Sequence, residues 1–358
     1  MSKVATLKLN MFSNLSAYRF GIIYEVPPKT TQTDEVYSII KAEIIDQVEV
    51  VEEAFRKLRL RYEVFKIRKI PSLVKSLVSY KPQVVVNLCE SVFGNNLLEM
   101  SAPVLLELLG ISYTGSPPLT LAVCQNKGLT KDILKSRGIP TPKWQVLESV
   151  QEWKGGIRYP LFVKPLHEDA SIGIDRKSYV KNRSELEKRV IYTNKRYRQP
   201  ALVEEYVNGR ELNVSILGND KPKVLPISEI LFKSRTQPKI VDYQAKWIKN
   251  SKDYEETIPS CPAKLEVSTR RIVEKTALEA YIATGCRDYA RIDMRLKGKT
   301  PYVIEVNANP DISAESGFVR SLNALRISYT SFIKRILLFA FERKTREILG
   351  KASSLYAK

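Results

Sequence analysis

The segment YVIEVNANPDIS (302–313) sets Glu305, Asn307 and Asn309 among apolar neighbours, and YARIDMRL (289–296) just before it carries Arg291, Asp293 and Arg295 in the same alternation. Read as two strands joined by the turn-like KGKTP, a period of two puts Arg291, Asp293 and Arg295 on one face. Ala290, Ile292, Met294 and Leu296 take the other. On the second strand Glu305 and Asn307 oppose Ile304 and Val306. A turn centred near Lys299 then brings Asp293 opposite Glu305, with the two side chains about 5 Å apart. Facing carboxylates repel unless a cation lies between them. Two acids and a neutral amide oxygen suit Mg²⁺, which takes hard oxygen ligands and leaves positions for water and phosphate oxygens. A solvated hairpin with Arg291 and Arg295 neutralising the acids satisfies the same pattern, so the hairpin alone leaves both readings open. Asn309 reads as a residue shaping the turn before Pro310.

Partners for such a site lie upstream. Lys164 ends the apolar strand LFVK and precedes PLHEDASIG (165–173), where Ala170, Ser171 and Gly173 are small enough for a backbone to approach phosphate. Lys164 there calls for an anion, unless it snorkels to water. Lys127 sits on a helix at an apparent lobe boundary. EEYVNGRE offers Glu204 and Glu211 about an apolar strand end, where backbone groups can read an adenine edge and a carboxylate can accept ribose hydroxyls. Each of these residues also has a plain surface reading. The single histidine, His167, reads as a solvated loop residue.

The elements that must position these groups begin with a strand at 20–25. A helix follows whose stripe runs through Val36, Ile39, Ile40, Ile44, Val48, Val51, Phe55 and Leu58. Strands at 62–67, 83–88 and 112–116 alternate with helices at 72–80 and around Leu97–Leu109, which implies a parallel sheet flanked by helices. A linker helix spans 117–138, and the prolines of IPTPKW open a second lobe with strands at 159–165 and 200–207. A third region holds RELNVSIL, a long loop from Phe232 to Pro262, a helix at 265–284, the acid–amide hairpin and a last helix at about 318–349. The expected class is α/β in three lobes: 1–118, 119–208 and 209–358.

The chain has 358 residues, 44% hydrophobic and 27% charged, which excludes a disordered class. Its 58 Lys and Arg against 39 Asp and Glu give +19, suited to a polyanionic partner. The basic residues are scattered as RKLRLR, KIRK, KRYR and RKTR rather than gathered with aromatics, which favours solvated faces over nucleic-acid binding. An acidic protein remains an open partner. Four dispersed cysteines suggest neither zinc site nor disulfide framework. No signal-peptide core or membrane-length apolar run is read, so a cytoplasmic location is expected.

Taken together the residues resemble the ATP-grasp superfamily, and within it the D-alanine–D-alanine ligase group. SYTGS, CQNKGLTKDILKSRGIPTPKW, LFVKPLHEDASIGI, LVEEYVNGRELNVSIL, DYQAKW, IPSCPAKL, GCRDYARIDM and VIEVNANPDIS stand in the family's order. The resemblance implies an N-terminal Rossmann-like parallel sheet and ATP clasped between central and C-terminal lobes. Lys127 and Lys164 would bind phosphates, Glu204 and the Val207 backbone adenine, and Glu211 ribose. Asp293, Glu305 and Asn307 would hold two Mg²⁺, with Mn²⁺ able to stand in. A substrate carboxylate would attack the γ-phosphate to give an acyl phosphate, and an amine would displace phosphate past an oxyanion held by Arg291. Lys246 and Ser171 would serve the same centre. The implied partners are a small-molecule carboxylate and amine, a second copy in a homodimer, and an acidic carrier if one presents the substrate. This chain departs from the group at Ala170, where a serine is expected, at Trp247, where a tyrosine is expected, and in lacking a recognisable N-terminal glutamate motif. Asp311 replaces a glycine. Ser316 matches the residue that binds the acceptor carboxylate. The departures point to amino-acid-like or peptide substrates rather than D-alanine, with D-alanine–D-alanine ligation proper as the alternative.

Overall fold

In a computed structural model of the chain, residues 15–26, 34–234, 237–248 and 251–356 are described. Three sheets follow one another along it. The first joins β1 (Arg19–Tyr24), β2 (Arg61–Lys66), β3 (Val84–Asn87) and β4 (Ser112–Tyr113) in the order β2-β1-β3-β4, all parallel. β3 is VVVN and buried throughout, as a central strand with both faces covered must be. Ile44, Val48, Val51 and Phe55 of the helix Asp34–Lys57 recur at helical spacing; Val48, Val51 and Phe55 pack with Phe20 and Ile22 of β1. The side chains of Val36, Ile39 and Ile40 lie outside the described residues.

The second sheet is antiparallel, β5-β8-β6-β7, from β5 (Trp144–Leu147), β6 (Leu161–Pro165), β7 (Tyr179–Val180) and β8 (Ala201–Glu205). Leu186 and Val190 of the helix Arg183–Tyr197 cover one face. The third joins β9 (Arg210–Leu217), β11 (Ser228–Phe232), β12 (Thr257–Ser260), β13 (Tyr289–Lys297) and β14 (Thr300–Asn307) in the order β12-β11-β9-β13-β14, with β10 (Lys223–Val224) on β9. The helix Val267–Ala283 packs on it through Val273, Ala277 and Ala280. No helix among the described residues is long and apolar enough to cross a membrane.

Several expectations change. The linker helix is two, Pro118–Gln125 and Lys127–Ser136, broken at Asn126, whose side chain caps the second by accepting from the Leu129 N–H. The loop from Phe232 to Pro262 contains β12, a short helix Tyr243–Trp247 and another at Lys252–Glu255; these lack the hydrophobic periodicity that would reveal them. The last helix is also two, Gly317–Ala324 and Tyr329–Tyr356, parted where Arg326 takes a left-handed φ of 56°. Its second part returns to the first sheet, where Phe332, Ile333, Ile336 and Leu337 join the β1 core.

Candidate active site

The hairpin has the register its residue types imply. Asp293 pairs with Glu305 and Arg291 with Asn307, while β13 runs beside β9 so that Asp293 also faces Asn213. A β-bulge beyond Asp293 shifts the remaining pairs, so Val303 rather than Ile304 faces Met294. The bulge turns Ile304 out of the core, against expectation, and on to the wall of a cleft of about 1340 Å³. β6 and the loop after it, β9, β13, β14 and residues 311–323 line this cleft, and Ala42, Glu43 and Asp46 of the helix Asp34–Lys57 contribute to it as well.

Within it the charged groups form one chain. The Arg291 guanidinium clasps Asp293 with two bonds of 2.8 and 2.9 Å, and the amides of Asn213 and Asn307 donate to the same carboxylate at 2.7 and 3.0 Å. Lys127 donates to the Glu168 carbonyl at 2.7 Å and to Asp169 at 2.8 Å, and its ammonium is 3.7 Å from Glu305. Burial opposes that ammonium's charge, but Asp169 and Glu305 outweigh it and hold Lys127 above the usual lysine range. Asp169 and Glu305 hydrogen-bond one another; burial raises Glu305 above the carboxylate range while Lys127 holds Asp169 below it.

Lys164 and Glu204 are placed differently. Glu204 lies between Lys131 at 2.7 Å and Lys164 at 2.9 Å, all three almost wholly buried. Burial alone would raise the Glu204 carboxyl, yet the two ammoniums bring it down to about 2. Lys164 lines the cleft, whereas Glu204 and Val207 stand behind its wall. Glu211 is on the wall and pairs with Arg295 at 2.6 Å. Arg295 therefore neutralises Glu211, and Arg291 alone of the two arginines serves Asp293.

The loop after Lys164 is held in an unusual shape. Ala170 and Ser171 take left-handed φ values of 54° and 62°, and a Cβ on Gly173, at φ 77°, would meet Pro165 Cγ at 2.6 Å. The Ser171 hydroxyl donates to the Val241 carbonyl at 2.9 Å, tying this loop to the one that carries Lys246. Behind it Arg189 reaches the Gly173 carbonyl, Asp175 and Ser178 at 2.6–2.9 Å. Lys246, Asp311 and Ser316 line the cleft; Ser316 caps the helix Gly317–Ala324, accepting from the Val319 N–H. The side chain of Trp247 lies outside the described residues. His167 turns its ring to the Gln125 carbonyl at 3.3 Å. Asn309 does more than shape a turn: its amide donates to the Cys89 carbonyl at 2.9 Å and ties the hairpin to the first sheet.

Lys131, Asp169, Arg189 and Asn213 escaped the reading of the sequence. Lys131 had a signal, since it follows Lys127 by one helical turn on a face that Leu134 shows to be buried. Arg189 had one too, between Leu186 and Val190. Asp169 and Asn213 are recognised only by what lies across from them.

The residues suit a magnesium nucleotide. Asp293, Glu305 and Asn307 present oxygens on one face beside Lys127. Among the described residues no group of three or more His, Cys, Asp or Glu is gathered closely enough to hold a metal.

Residues 133–338 match the family model described as D-ala D-ala ligase C-terminus. An uncharacterized protein, y4sG of Sinorhizobium fredii, is 34% identical over 260 residues, 72% of this chain and 75% of that one. The D-alanine–D-alanine ligase of Desulforamulus reducens is 32% identical over 250 residues, 67% and 76% of the two chains. Among solved structures, D-alanine–D-alanine ligase from Bacillus anthracis complexed with ATP superposes with a TM-score of 0.72 at 25% identity, covering 92% of this chain and 99% of that one. With its hairpin, phosphate-loop shape and sheet order, the chain belongs to the D-alanine–D-alanine ligase family of ATP-grasp enzymes and is an ATP-dependent carbon–nitrogen ligase.

Proposed function

We propose that the chain joins an amino-acid-like or peptide carboxylate to an amine, outside the D-alanyl-D-alanine pairing, with ATP bound in the cleft. The observation that carries this reading is the Asp293–Glu305 pair standing beside Lys127 on the cleft wall. Lys127 and Lys164 hold phosphates, and the loop at Ala170 and Ser171 approaches them with its backbone. Glu211 takes ribose. Adenine lies against the Val207 backbone, while Glu204 acts here through the two lysines it holds. Asp293, Glu305 and Asn307 would hold two Mg²⁺, with Mn²⁺ as a substitute, which when bound neutralise charge on the transferring phosphoryl group.

A carboxylate oxygen of the first substrate attacks the γ-phosphorus as the bond to ADP breaks, giving an acyl phosphate. The neutral amine of the second attacks the acyl carbon; the tetrahedral intermediate expels phosphate, and the amine loses its proton. Arg291 bonds the developing oxyanion, Lys246 and Ser171 close the centre, and Ser316 receives the acceptor's carboxylate. Asp311 contacts a substrate ammonium. Trp247, where the resemblance leads one to expect tyrosine, belongs to the same substrate shell. The division at 1–118, 119–208 and 209–358, a homodimer, an acidic carrier as an auxiliary partner and a cytoplasmic location complete the reading. The free cysteines accord with that location.

The test is phosphate release from ATP with Mg²⁺ and an amino-acid panel, products identified by mass. Release that persists after both Asp293→Ala and Glu305→Ala would sink the reading. D-alanine offered alone decides the alternative, D-alanine–D-alanine ligation proper, which the names of several relatives at 32–34% identity favour.

A further inference from the structure

Where the helix Asp34–Lys57 meets the loop after β14, the cleft gathers more carboxyl groups than the ammonium of one amino acid would pair. Glu43 and Asp46 of the helix and Asp311 of the loop all line it. Glu43 hydrogen-bonds Asp311. Asp311 is itself held in place, accepting from the Ser313 N–H at 2.7 Å and the Ser313 hydroxyl at 3.0 Å. Glu90 stands behind them on the first lobe and accepts from the Gln47 amide at 3.1 Å.

Lys246 is the cation that both Glu43 and Glu90 sense, and Arg291, which also faces Asp311, is committed to Asp293. The Tyr329 hydroxyl, buried beside Asp311 and Asp46, has no hydrogen-bond partner. Against Glu43, Glu90 and Asp311, Lys246 supplies one positive charge and the α-ammonium of an ordinary amino acid a second. One of the three acids, with Asp46 besides, is then left without a cation in a partly buried corner, where it avoids an uncompensated charge only by keeping a proton.

We propose that the substrate bound at this end carries a second cation, the side-chain ammonium or guanidinium of a basic amino acid, received among Glu43, Glu90 and Asp311. This rests on the ligase reading above. Burial raises Glu43 to about 8 and Glu90 to about 7, so near neutral pH Glu43 is mostly protonated and Glu90 about half so. A cation entering between them expels protons to solvent.

The experiment compares diaminopropionate, diaminobutyrate, ornithine, lysine and arginine, as both enantiomers, with alanine and serine, by phosphate release in the presence of Mg²⁺ and ATP. A basic member is expected to exceed the best neutral one by tenfold or more in kcat/KM, about 1.4 kcal/mol. Calorimetry in two buffers of different ionisation enthalpy should show proton release on binding it. Glu43→Gln should cut the basic-to-neutral ratio at least tenfold and reduce that release, which a merely structural residue would not do. Neutral acids used as well as basic ones, or binding of a basic acid without proton release, overturns the inference while leaving the ligase reading intact. Phosphate release with none of the acids, basic or neutral, overturns both.

Discussion

Two clusters of opposite charge lie on either side of the cleft wall. At and behind it, Glu204 with Lys131 and Lys164 is closed: one carboxylate is shared by two ammoniums, all three almost wholly buried, with Lys164 at the wall itself. In front of it, Lys127, Asp169, Glu305, Asp293 and Arg291 form a row in which acids touch acids. The closed cluster fixes a shape, while the open one presents its acids to the cleft. Lys127 and Lys131 are one turn apart on the same buried helix face, and their partners divide them, Lys127 meeting Asp169 and Glu305 while Lys131 meets Glu204.

The largest expected effect is on the closed cluster. Glu204→Gln leaves two buried ammoniums without their anion and should cost about 3–5 kcal/mol of stability, read by urea unfolding. The pH dependence follows from the sign of the shift. Glu204 is depressed in the folded state, so its contribution is present above the unfolded carboxylate range and is lost as pH falls through about 2. That contribution is on the order of 3 kcal/mol, which Glu204→Gln should remove from the acid limb of the stability curve. An unchanged acid limb would show that the triad carries no such weight.

The open cluster should respond in the opposite way. Glu305→Gln removes one of two acids in contact, so unfolding stability should stay within about 0.5 kcal/mol of wild type or rise. Phosphate release should fall by a factor of about 100 or more, because a carboxylate that would hold Mg²⁺ against the transferring phosphoryl group has gone. Equal damage to stability and turnover would erase the distinction between the clusters.

The open cluster was largely legible in the sequence and the closed one was not. Alternation over 289–307 exposes the acids of the hairpin, and facing strands fix the Asp293–Glu305 pair from turn position alone. The bulge escaped because it adds one residue to a strand whose apolar pattern is otherwise continuous, and it carried Ile304 to the wrong face. Lys164 was read as needing an anion, but that anion, Glu204, comes from another strand of the second sheet, and the Lys131 that completes the triad from a separate helix. A buried salt bridge between distant segments leaves no periodic trace. The hydrophobic runs revealed the first sheet; β5 and β12, short and proline-flanked, had too little pattern to show.

A smaller effect separates shape from charge at the loop between the clusters. Gly173→Ala asks a side chain to occupy a left-handed backbone position, about 1–2 kcal/mol, with its Cβ driven into Pro165. Neither cluster loses a charge. The expected result is a raised KM for ATP with kcat much less affected. A kcat loss like that of Glu305→Gln would mean that loop shape and hairpin charge act as one unit.

The smallest effect concerns how the hairpin is set against the first sheet, the lobe that carries Glu43 and Glu90. Asn309 spans this junction by its bond to the Cys89 carbonyl. Asn309→Ala removes its side-chain hydrogen bonds to the Cys89 carbonyl and to Glu99, about 1 kcal/mol. Because the lost contact joins the hairpin to the substrate end rather than to the nucleotide, the KM for the amino-acid substrate should rise a few-fold while that for ATP holds. A change in both constants by the same factor would place Asn309 in general folding. A change confined to the amino-acid substrate would show that the setting of the hairpin against the first lobe bears on the substrate end.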